Sequence, residues 1–185
     1  MIKFRNLLAE EIECRVQQIT EKGLILLLYK NARCDMNILD ETVGAMNWQR
    51  EHYERKGNLF CRVGINSNYP MSEEPAIEWI WKSDCGAESN TEKEKGEASD
   101  SFKRACVNWG IGRELYTAPF IFIPLKDKSN KPNYSTFTKN GKPATYDKFV
   151  VEKIVITEDK KITGVAIRNT IQNKRVFIWS IEDGN

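Results

Sequence analysis

The chain has 185 residues, with 28 Lys+Arg against 26 Asp+Glu, 41% hydrophobic residues and five cysteines. That length suits one domain, or one domain with a small appendage, whose folding buries roughly 70% of the extended chain's surface. The composition argues against wholesale disorder. The longest apolar run, Leu24–Leu28, is far short of the roughly 20 residues that a membrane-spanning helix needs. Met1–Phe4 passes at once to Arg5 and Asn6, with no signal-peptide core, so the sequence predicts a soluble, intracellular protein with no membrane partner.

In chain order, Leu8, Ile12, Val16 and Ile19 recur at helical spacing behind Glu10, Glu11 and Glu13, which predicts a helix over 7–19. Leu24–Tyr29, bounded by Gly23, reads as a buried strand. From Arg33 the spacing of Met36, Leu39 and Val43 is helical again, with Gly44 as the stop, and this helix is expected to present Asp35, Asp40 and Glu41 outward as a solvated face. Strands over 47–55 and 58–65 flank a hairpin turn at Arg55-Lys56-Gly57, and 75–81 supplies a third strand, making an antiparallel meander.

The spacing Thr91-x-x-Glu94 is that of a capping box, and beyond it Ala98, Phe102, Ala105, Cys106 and Trp109 fall on one helical arc. Lys103 and Arg104 stand off that arc, one to each side, and Gly110 and Gly112 end the helix. A strand over 120–123 leads to a basic loop, 126–142, expected to be mobile. Strands over 149–156, 162–168 and 175–181 follow. The predicted class is α+β, with helices packed on one side of an antiparallel sheet and further C-terminal strands.

The chemistry of familiar enzyme sites finds little support in this pattern. Cys14, Cys34, Cys61, Cys85 and Cys106 form no C-x-x-C pair and read as reduced thiols, and His52 is the lone histidine, so a closed zinc site is not indicated. Gly110-x-Gly112 lacks the third glycine of a dinucleotide fingerprint and ends a helix instead of opening one. No phosphate-loop motif occurs, and no cofactor is expected.

The charge is unevenly spread. Residues 1–125 hold 16 basic and 19 acidic residues, whereas 126–185 hold 12 and 7. In the loop, Lys126, Lys128, Lys131, Lys139 and Lys142 face only Asp127, with Tyr134 and Phe137 between them. Basic residues interleaved with aromatics can track a nucleic-acid backbone, and the same composition also suits a merely solvated loop.

Two stretches go further. Residues 96–116 read GEASDSFKRACVNWGIGRELY, and 29–48 read YKNARCDMNILDETVGAMNW. The first resembles the helix signature of the single-strand DNA annealing family of double-strand-break repair, above all its short phage and prophage members. The second is similar to that family's upstream helix leading into its first hairpin, and the two occur in family order. The resemblance implies an antiparallel meander packed on a long amphipathic helix, the one that bears Lys103 and Arg104, within a single annealing-type domain over 1–185, with a helix and meander core over 1–125, the basic loop over 126–142 and C-terminal strands over 143–185. It implies a non-enzymatic protein that binds single-stranded DNA, assembles into rings or open filaments and works in the cytoplasm of a bacterial host, with a phage or host single-strand-binding protein as a further partner.

Family DNA-backbone contacts carry over to Lys103 and Arg104, and a basic residue near the start of the upstream helix to Arg33. Lys126, Lys128 and Lys131 join these as loop contacts on charge grounds. Where eukaryotic members have a further arginine one turn on, this chain has Val107. No segment matches their long recombinase-binding tail. The alternatives are a DNA-end-protecting protein of the same fold, a small metal-dependent nuclease built on Asp35, Asp40 or Glu78, and an interaction module with no DNA role.

Overall fold

A computed structural model of the protein describes residues 2–67, 78–87 and 93–181. After a 3-10 turn at Ala9–Glu11 come β1 (Ile12–Ile19), β2 (Gly23–Lys30), α1 (Ala32–Val43), β3 (Trp48–Arg55), β4 (Asn58–Asn66), β5 (Trp79–Cys85) and α2 (Lys93–Asn108). A second 3-10 turn, Arg113–Thr117, precedes β6 (Ile121–Pro124), β7 (Phe137–Lys139), β8 (Lys142–Ala144), β9 (Phe149–Ile156), β10 (Ile162–Asn169) and β11 (Lys174–Ser180). The chain divides into two compact units, Met1–Arg5 with Lys30–Arg113, and Asn6–Tyr29 with Glu114–Asn185. The class is α+β with antiparallel strand pairs and two helices.

The first unit is built on a three-stranded meander in the order β3-β4-β5. Its hairpin turn places Lys56 at φ 54° and Gly57 at φ 74°, the doubly positive geometry whose twist matches that of the flanking strands. Side chains alternate across a sheet, so Cys61, Val63 and Ile65 share one face, and all three are buried. That face is covered by α2, whose Phe102, Ala105 and Cys106 are fully buried. Trp48 stacks on Phe102 with ring centroids 6.2 Å apart, and Trp109 donates its indole N–H to the Val63 carbonyl at 3.0 Å. The expected amphipathic arc is therefore present, on a helix of 16 residues, moderate in length and not the long one anticipated.

Asn31 caps α1 by accepting the Cys34 N–H at 3.0 Å. Ile38, Leu39 and Val43 are buried, and Gly44 closes the helix at φ 81°. The third strand of the meander, expected at 75–81, runs from Trp79 to Cys85. Pro75–Ile77 and Thr91 of the capping box lie outside the described residues.

The second unit is a six-stranded sheet in the order β11-β10-β9-β1-β2-β6. Its edge strands β6 and β11 approach each other closely enough that the sheet curls on itself. The expected helix over 7–19 is corrected here, because Ile12–Ile19 is a strand lying between β9 and β2. Ile12, Cys14 and Val16 alternate inward, and burial of Cys14 pushes its thiol up to about 12. Counting Cys14 as apolar turns the helical spacing into a two-residue one. Sheet partners then select the strand.

The basic stretch 126–142 is not an open loop but carries backbone pairing and a buried side chain of its own. Lys126 and Pro132 form an isolated bridge, Tyr134 is 1% exposed, and Phe137 stacks on Tyr146 at 4.2 Å. β7 and β8 pair around Asn140 (φ 51°) and Gly141 (φ 74°). That Asn-Gly dipeptide is a strong hairpin signal.

Candidate nucleic-acid interface

With Phe102, Ala105 and Cys106 turned inward, the helical period leaves Lys103 and Arg104 on the flanks of α2. The Lys103 side chain is 23% exposed, with its Nζ 3.9 Å from Asp100 one turn earlier. Arg104 is 45% exposed, with its Nε 3.4 Å from Asp84 on β5. Pairs at this exposure contribute at most about 1 kcal/mol, so each carboxylate steers its cation without withholding it from a stronger anion such as a phosphate.

Sequence reasoning passed over three further basic groups around α2. Arg50 on β3 places its guanidinium over the Phe102 ring, 4.7 Å from the centroid. Lys82 on β5 donates to the Asn108 carbonyl at 2.9 Å and stands over the Trp109 ring. Arg113 bonds the Val107 and Asn108 carbonyls at the C-terminal end of the helix, where a cation complements the helix dipole. Strand alternation held the signal for the first two: Arg50, Val63 and Lys82 are direct partners across the meander and therefore face α2 together.

Arg33 is exposed in the first turn of α1, with no ion pair among the described residues. The start of that helix is anchored from beneath. Asp35, expected on the solvated face, is fully buried and paired with Lys30, itself 5% exposed. Lys30 Nζ also donates to the Lys103 carbonyl at 3.3 Å, which links the turn carrying Arg33 to the turn carrying Lys103. Burial pushes the Asp35 carboxyl up to about 6, against the opposing pull of Lys30. Asp40 is exposed and accepts the Trp48 indole N–H at 2.6 Å, and Glu41 binds Arg5 at 2.7 Å.

Lys126, Lys128 and Lys131 belong to the other unit. All three are exposed, with no ion pair among the described residues. Their backbone is fixed by Asp127, which accepts the Ser129 N–H at 2.8 Å and the Lys131 N–H at 3.0 Å and pairs with Lys174 at 2.6 Å. The hydrogen bond from Lys174, joined by those backbone donors, lowers the Asp127 carboxyl to about 2. Behind this turn, fully buried Asn169 donates to the Asn133 carbonyl at 3.0 Å and to Asp147 at 2.6 Å.

Among the described residues no three His, Cys, Asp or Glu side chains are grouped to hold a metal ion, and all five cysteines are free thiols. No described helix is long and apolar enough to cross a membrane.

No curated protein and no solved structure matches the chain. One protein family does, that of the Rad52/22 double-strand break repair proteins, over residues 5–134. The matched span takes in both helices, the meander between them and the turn that carries Lys126, Lys128 and Lys131. With most of its length inside that match, the chain belongs to the Rad52/22 family of double-strand break repair proteins.

Proposed function

We propose that the protein binds single-stranded DNA through Arg33, Lys103 and Arg104 and anneals complementary strands in phage or prophage recombination and repair, without ATP. One observation carries this reading. The buried arc of α2 leaves two adjacent basic side chains on its flanks within a family-matched span, Arg104 exposed and Lys103 partly so, beside a helix whose first turn bears exposed Arg33. An annealing protein has to hold phosphates and leave base edges free for the second strand, and Lys and Arg contacts to the backbone meet that demand. Aromatic stacking would hold the bases themselves. Trp48 and Trp109 are instead committed to Asp40 and Val63, which fits the phosphate mode.

Duplex formation supplies the driving force, so no covalent step is required. Lys126, Lys128 and Lys131 add long-range attraction. Assembly into a ring or filament would repeat a small basic patch many times, which raises affinity through multivalency, and a single-strand-binding protein of phage or host would deliver the strands. End protection by the same basic side chains is the second reading, distinguished by failure to anneal. The nuclease reading loses ground because Asp35 is tied to Lys30 and Asp40 to Trp48.

Mixing the protein with complementary fluorescent oligonucleotides in ATP-free buffer tests the proposal. Faster pairing than in protein-free solution is expected, together with a light-scattering mass several times 21.4 kDa. A strict monomer that leaves the pairing rate unchanged would sink it.

A further inference from the structure

We infer that the buried Lys30–Asp35 pair is a positioning device for the DNA-binding side chains, holding the α1 turn that bears Arg33 against the α2 turn that bears Lys103. The inference rests on the DNA-binding reading above. Its geometry is specific. Asp35 has no solvent exposure, one of its oxygens receives Lys30 Nζ, and the other is buried without a hydrogen bond among the described residues. The same ammonium reaches the Lys103 carbonyl, so one cation joins two helices, at the second residue past Arg33 and at the backbone of Lys103 itself.

A buried ion pair is a poor source of net stability, because an apolar pair of similar volume often does as well. Its use here is to fix one arrangement. An ammonium has several donor directions and can satisfy a carboxylate and a carbonyl together, provided the carboxylate is charged. When Asp35 takes up a proton, the electrostatic half of the tie is lost and Lys30 keeps only the carbonyl. The two turns can then shift, and Arg33 no longer stands at a fixed spacing from Lys103. Successive phosphates are regularly spaced, so loss of fixed spacing weakens binding even though no DNA-contacting charge has been removed.

The groups that act on Asp35 are Lys30, Lys103 and the Cys106 thiol. Behind Cys106 are Cys61 on β4 and Arg50 on β3. Desolvation dominates and places the carboxyl near 6, so the tie weakens on mild acidification. The whole chain becomes more positive over the same interval, which by itself would favour DNA. The two effects therefore have opposite signs and can be separated by comparing variants.

The experiment is a titration of full-length wild type and Asp35→Asn with a fluorescent oligothymidylate, at about pH 7.5 and about pH 5, either side of that carboxyl's titration. At the higher pH the folded variant should bind about three- to tenfold more weakly, in the lower part of the range of couplings between residues of one network. At the lower pH the two proteins should converge, since wild-type Asp35 is then neutral as well. Wild-type affinity in the folded variant at the higher pH would overturn the inference, as would a deficit that persists undiminished at the lower one.

Should Asp35→Asn fail to fold, hydrogen exchange of the wild type decides. Protection in the first turn of α1, corrected for intrinsic rates, must drop between the two pH values, and constant protection refutes the tie. The Lys103→Ala/Arg104→Ala double variant is run alongside. If it loses affinity and Asp35→Asn does not, only the positioning role falls. If the double variant binds like wild type, the DNA-binding reading falls and the positioning role with it.

Discussion

The cations on α2 and those in the 126–131 turn carry the same charge and are held in opposite ways. Beneath Lys103 and Arg104 lies a fully buried apolar arc, and each side chain has a carboxylate within 4 Å that aims it. At Lys126, Lys128 and Lys131 it is the backbone that is fixed, through Asp127, while the side chains extend exposed and without ion pairs among the described residues. Overall charge points the other way. The unit that carries α2 has 14 basic and 14 acidic residues, and the unit that carries the turn has 14 and 12. A count of charges would choose the turn, whereas placement chooses the helix. Affinity that depends on spacing should reside on α2, and affinity that depends only on charge in the turn.

Removing the platform tests this most severely. Phe102→Ala takes a fully buried ring from between α2 and Trp48 and should cost about 3–5 kcal/mol, read as a lower denaturation midpoint. DNA binding should be lost with the fold, although every lysine remains. Tight binding by a clearly destabilised variant would shift the main site away from α2.

Next in size are the helix cations themselves. Lys103→Ala and Arg104→Ala should each lower affinity about equally for all sequences and reduce the salt slope by roughly 0.7 per lost single-strand contact, with little change in melting temperature. Arg104→Lys sharpens the point, because it restores charge without the planar fork that grips phosphate oxygens in pairs. Only partial recovery is expected. Full recovery would mean that charge suffices on the helix too.

Smaller again is the combined Lys126→Ala/Lys128→Ala/Lys131→Ala variant. Its three side chains are exposed and make no ion pair among the described residues, so the melting temperature should stay put. Binding should weaken by about 1 kcal/mol at low salt and negligibly at high salt, where exposed charges are screened. An effect that persists in high salt would make the turn a positioned site like α2.

The smallest expected effect is that of acid on the turn. Asp127 titrates near 2 when folded, held down first by the hydrogen bond from Lys174, against about 3.9 for an unperturbed aspartate. A depressed carboxyl contributes its stability above the unfolded pKa and loses it as pH falls through the folded one. Amide protection of Ser129 and Lys131 should therefore hold down to about pH 4 and fail towards pH 2. Loss near neutrality would show that Asp127 does not hold the turn.

What the sequence determined by itself was whatever local periodicity encodes. The meander hairpin follows from Lys56-Gly57, α1 from the spacing that ends at Gly44, α2 from its apolar arc, and β9, β10 and β11 from apolar runs between polar turns. That Lys103 and Arg104 stand off the apolar arc was legible for the same reason, whereas their DNA role came only with the family resemblance. Tertiary structure decided what depends on distant partners. Ile12–Ile19 fits either period, and it is a strand because β9 and β2 flank it. The 126–142 stretch looks solvated, yet buried Asn169 and Tyr134 fold it down. Asp35 reads as a surface carboxylate on its helix, and it is buried because Lys30 meets it under the Lys103 carbonyl, a group 73 residues away along the chain. Lys30 stands only five residues from Asp35, but a charge pair leaves water only where the fold covers it, and no local pattern records the arrival of α2.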